Sequence, residues 1–77
     1  MLDYQARVVE EKRELDLKRV KLNSFIESVE FTKLGVESSG LLLRQRAIMA
    51  EYSRVLTERI VSFGMAAVRE AEATLAK

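Results

Sequence analysis

The sequence predicts an all-α chain folded as an antiparallel two-helix hairpin, and three observations carry that reading. Apolar residues recur at seven-residue spacing in two blocks, Val8, Leu15, Leu22 and Val29 in the first and Leu42, Met49, Leu56 and Phe63 in the second. The chain has no proline, and its first block has no glycine. Between the blocks, EFTKLGVESSG at residues 30–40 gathers two of the three glycines with Ser38 and Ser39, a composition that turns and caps favour.

The elements follow in order. A first helix is expected over residues 2–29, where charged residues are dense. The turn is placed at residues 30–37. A second helix follows over residues 38–75, with Gly64 as a point of expected kinking or fraying, after which MAAVREAEATLA has strong helix propensity. No internal repeat or low-complexity segment divides the chain, so residues 1–77 are expected to form a single hairpin domain.

Composition excludes several functions. The 77 residues include no Cys, His, Trp or Pro. There is thus no thiol nucleophile, imidazole base, disulfide framework or zinc site of the usual ligands, and no metal or cofactor is expected. Carboxylates are plentiful, but none is isolated in an apolar stretch with a second one beside it, so the chain reads as a non-enzyme. No apolar run approaches the roughly 20 residues of a membrane span, and MLDYQARVVEEK lacks the basic and apolar regions of a signal peptide. With 13 Lys and Arg against 12 Asp and Glu, the net charge of +1 argues against a DNA or RNA polymer as partner. Arg44, Arg46 and Arg54 are interleaved with Glu51 and Glu58, which reads as a solvated face.

Two helices of this length have too little core to stand alone without disulfide or metal. The first helix carries a second stripe, Leu2, Ala6, Val9, Leu17 and Val20, nearly opposite its Val8, Leu15, Leu22 and Ile26 face. The second carries a weaker one in Leu43, Ala47, Ala50, Val61, Ala66 and Val68. A homo-oligomer that covers these stripes is expected; the alternative is a surface helix with scattered apolar residues.

Polar residues interrupt the apolar rows. Arg59 lies seven residues after Tyr52, three after Leu56 and four before Phe63, which brings a guanidinium to the edge of the buried face. Gln45, Tyr52 and Arg59 form one row; Tyr4, Glu11 and Lys18 form its equivalent on the first helix. Such residues can snorkel, fix register or pair with one another. Lys18 and Arg59 allow a second reading, because cations repeated by symmetry at an interface repel unless an anion sits between them. Phosphate suits that position, with Arg as bidentate ligand and Lys as point charge.

The stretch YQARVVEEKRELDLKRVKLNSFI, the FTKL turn and LLLRQRAIMAEYSRVLTERIVSF together resemble the small phage proteins that act as cyclic-nucleotide sponges against CBASS immunity. Their helical-hairpin domain is shared with a sponge that inhibits Thoeris signalling. The resemblance spans roughly residues 4–63 and rests on Y-x-x-R-V-V-x-E, K-L-x-x-F-I and M-x-x-Y-x-x-x-L-x-x-R-I. It implies a compact homohexamer in the cytoplasm of the infected bacterial host. That assembly would bind cyclic dinucleotides between protomers and cyclic trinucleotides at three-fold axes, without turnover.

Carried over by position, the resemblance implies that Tyr4 stacks on a base and that Lys18 meets a phosphate, with Arg19 and Lys21 as alternatives for the latter. Arg59, with Phe63 one turn on, would converge on the trinucleotide pocket. The rival reading is an oligomeric helical phage protein with a structural or protein-binding regulatory role, in which Lys18 and Arg59 merely snorkel.

Overall fold

A computed structural model describes the backbone of residues 2–75 and the side chains of residues 2–65. Three helices follow one another: α1 (Asp3–Ile26), the single turn α2 (Val29–Thr32) and α3 (Val36–Leu75). No strand occurs among the described residues. The molecule is a rod 65 Å long and 16 Å across.

Helix α1 starts where Leu2, in extended conformation, passes its carbonyl to the Ala6 N–H at 3.0 Å. The Leu2 N–H in turn donates to Gln5 Oε1 at 3.1 Å, the returning half of a capping box. The helix stops at Ile26, three residues short of the expected end. There the Ser28 hydroxyl donates to the Phe25 carbonyl at 2.5 Å, offering the last turn a side-chain partner in place of a continuing helix.

The expected turn contains a helical turn of its own. Thr32 Oγ1 donates to the Val29 carbonyl at 2.6 Å, and the Lys33 and Leu34 N–H groups donate to Glu30 and Phe31. The Phe25 and Phe31 rings meet edge to face at 6.4 Å and hold this corner. Val29 is consequently exposed rather than the last member of the α1 stripe. Helix α3 begins two residues before the expected start, at Val36, because Gly35 supplies a carbonyl to the Ser39 N–H at 3.0 Å. It runs on through Gly64 without interruption.

The antiparallel arrangement is fixed by cross-contacts in reverse order. Tyr4 meets Phe63 with ring centroids 5.6 Å apart, and Asp16 meets Ser53 at 2.6 Å. Val8, Leu15 and Leu56 are buried between the helices, Leu56 completely, and Met49, Ile60 and Phe63 pack against them. Leu22, Ile26 and Leu42 are half-buried. At 1.5 Å per residue α1 is about 36 Å long and α3 about 60 Å. With Phe63 already level with Tyr4, α3 continues beyond the level at which α1 begins.

The core is thin, and much apolar surface lies outside it. Leu2, Val9, Leu17 and Val20 are exposed along the back of α1, Val20 by 63%. Leu43 and Val61 are exposed on α3, Ala47 with them, while Ala50 is half-buried. Ala66 and Val68, expected on the same face, lie outside the residues whose side chains are described.

Candidate functional site

The hairpin has two flanks, and α3 shows why they differ. Ser53 and Tyr52 are successive residues about 100° apart around the helix, one on each side of the Met49, Leu56 and Phe63 line that faces α1. Ser53 turns to one flank and is 3% exposed. Tyr52, and with it Arg59 seven residues on, turns to the other.

The first flank holds a polar network. Lys12 Nζ donates to Asp16 Oδ2 at 2.5 Å and to Ser53 Oγ at 3.2 Å. The Ser53 hydroxyl donates to Asp16 Oδ1 at 2.6 Å, and Arg19 donates to the same oxygen at 3.1 Å. The Lys12 ammonium, then the Ser53 hydroxyl, hold the Asp16 carboxyl down at about 2, below the ordinary carboxylate value. These four side chains tie α1 to α3 and leave no buried side-chain polar atom unpartnered among the described residues. Sequence reasoning missed this network. Its signal was Lys12 and Asp16 at i, i+4, beside the core line, with a lone Ser among the apolar positions of α3.

The second flank carries the cations expected to bind phosphate. Lys18 lies three residues after Leu15, on the side away from Lys12, and is exposed. Arg59 is exposed on α3, and its backbone carbonyl accepts a hydrogen bond from the Ser62 hydroxyl at 2.6 Å. Neither cation enters an ion pair among the described residues, in contrast to Arg13 with Glu10 and Arg54 with Glu51. Lys21 is likewise exposed, whereas Arg19 is engaged by Asp16 on the first flank.

The structure brings some of the expected site residues together and separates others. Tyr4, 52% exposed, stands edge-on to Phe63 at one end of the hairpin, and Arg59 lies one turn before Phe63. Lys18 is fourteen residues from Tyr4 on α1, about 21 Å along the axis. Toward the far end of this flank, Leu41, Arg44, Gln45 and Ile48 line a shallow groove of about 380 Å³.

A family model described as Sequestin matches residues 2–62. The chain belongs to the Sequestin family. It is also 43% identical over 63 residues to the "Uncharacterized 7.5 kDa protein in denB-rIIB intergenic region" of Enterobacteria phage T4, a match that covers 82% of this chain and 98% of the relative. No solved structure matches the chain. The Sequestin match takes in both flanks, from Tyr4 through Lys18 to Arg59, and ends one residue before Phe63. Among the described residues no helix of this Sequestin member is long and apolar enough to cross a membrane, and no group of side chains is arranged to hold a metal ion.

Proposed function

We propose that this protein is a phage sponge that binds and sequesters cyclic oligonucleotide second messengers in the cytoplasm of the infected host, without chemical turnover, and so blocks CBASS immunity. The observation that carries the reading is membership of a family whose name denotes sequestration, in a chain 43% identical to a phage protein. The second flank supplies the chemistry: Lys18 and Arg59 for phosphates, and the aromatic face of Tyr4 for bases of either class.

The geometry of one chain supports a site shared between chains. A separation of about 21 Å between Tyr4 and Lys18 is too long for one base and its neighbouring phosphate in a small cyclic ligand. The two residues therefore serve one cyclic dinucleotide only if they come from different protomers. The exposed Leu2, Val9, Leu17 and Val20 stripe provides a reason for protomers to associate. A homohexamer with cyclic dinucleotides between protomers, and cyclic trinucleotides around three copies of Arg59 and Phe63, meets these requirements. A purely structural or protein-binding role is favoured by the same exposed stripe, which any partner helix would cover equally well.

A thermal-shift panel separates the two. Cyclic di- and trinucleotides are expected to raise the melting temperature while linear dinucleotides and short DNA do not, since ligand bound only by the folded assembly stabilises it by mass action. A melting curve unmoved by every cyclic nucleotide favours the structural role.

A further inference from the structure

Tyr52 is the large aromatic of the second flank that the phosphate-directed reading leaves unused. Tyr52 is 43% exposed, and its side chain makes no hydrogen bond among the described residues. Exposed Ile48 and Val55 lie one turn before it and three residues after it, so the ring stands on an apolar strip. The register set by Asp16 against Ser53 puts Lys18 within about a turn of Tyr52 along the axis. Arg59 lies on the other side, about 10 Å further along α3. An exposed tyrosine thus stands between two exposed cations, neither of which is drawn into an ion pair among the described residues, on a flank that they share with the half-buried Glu11.

We infer that Tyr52 is a base-stacking platform for the nucleotide ligand, standing between Lys18, which receives a phosphate of a cyclic dinucleotide, and Arg59, which receives a phosphate of a cyclic trinucleotide. This inference rests on the nucleotide-binding reading above and adds a second aromatic anchor to Tyr4, located mid-flank rather than at the hairpin end. An aromatic face accepts any base, whereas a cation beside it adds a phosphate contact that a nucleoside cannot make. The platform therefore favours short cyclic oligonucleotides over free nucleosides.

The chain has two tyrosines and no tryptophan, so tyrosine emission reports Tyr4 and Tyr52 alone. In a Tyr4→Phe background, titration with cyclic diadenylate and cyclic triadenylate is expected to quench Tyr52 emission saturably. In the otherwise unaltered chain, Tyr52→Leu is expected to weaken binding of at least one of them about 5- to 150-fold, the range of a lost base stack, whereas Tyr52→Phe stays near the parent affinity. Adenosine alone is expected to quench only weakly. If the parent binds either cyclic nucleotide but Tyr52 emission is unmoved and Tyr52→Leu binds as the parent does, the platform is refuted and the sponge reading stands. If the parent binds neither ligand, both are refuted together.

Discussion

Replacing Asp16 by Asn removes the charge around which the first flank is organised while keeping the shape of the side chain. In the parent, Asp16 accepts from Lys12, Ser53 and Arg19 at once, and its pKa falls from 3.8 to about 2. Because the folded-state value lies below the unfolded one, this contribution to stability is whole above about pH 5 and disappears as pH falls through about 2. The Asp16 side chain is 37% exposed, so solvent screening discounts the linkage to about 1 kcal/mol at neutral pH. Urea unfolding followed by far-ultraviolet circular dichroism, at one fixed protomer concentration, measures it at pH 7, 4 and 2.5. Asp16→Asn is expected to lie about 1 kcal/mol below the parent at pH 7, with a gap that narrows toward pH 2. Equal stability at pH 7, or a gap that stays constant down to pH 2.5, would show that the network does not couple the helices.

Further outcomes follow from burial and exposure. Leu56→Ala empties the centre of the thin core and is expected to cost about 2–5 kcal/mol, enough to unfold the chain at ambient temperature in a melting experiment. Gly64→Ala, at a helical position where an added Cβ meets nothing within 4 Å, should stabilise α3 by about 0.5–1 kcal/mol. Val20→Glu places a charge on the exposed α1 stripe; light scattering should show a parent oligomer reduced to monomer, and a parent already monomeric at micromolar concentration would remove the basis for shared pockets. Arg59→Met keeps the stem and removes the charge, so the free protein should melt no lower than the parent while cyclic-trinucleotide binding is lost and cyclic-dinucleotide binding persists. Tyr4→Ala and Lys18→Ala should each weaken cyclic-dinucleotide binding by about 1–3 kcal/mol in calorimetric titration, and parent-like binding by both would move the site elsewhere.

What could be read in advance follows a physical division. The seven-residue rows through Val8 and Leu15 and through Leu56 and Phe63 were legible because burial of one helix face repeats with the helical period. The early end of α1 at Ile26 was not, since it depends on the Ser28 hydroxyl reaching the Phe25 carbonyl, a local choice that a helix-compatible sequence does not announce. Val29 was misplaced for that reason. The Lys12, Asp16 and Ser53 network escaped notice because it depends on register: only once Phe63 is set against Tyr4 does Ser53 come level with Asp16.

The expected site residues divide the same way. That Lys18 and Arg59 would lie beside the apolar rows followed from their spacing, and both are exposed there. That they share one flank, with Tyr52 between them, follows only when the two helices are set face to face. Arg19 and Lys18 are neighbours in sequence yet part company in the fold, because one step around α1 carries Arg19 to Asp16 and Lys18 to the opposite side.

The proposal that this Sequestin member sequesters cyclic nucleotides is tested most directly by isothermal titration of the purified protein with cyclic diadenylate and cyclic triadenylate, followed by heat release and chromatography of the recovered ligand. Saturable binding of at least one ligand is expected, at a fixed fraction per protomer, with the nucleotide recovered intact and still cyclic. Absence of binding at high micromolar concentration, or recovery of a linear product, would contradict it.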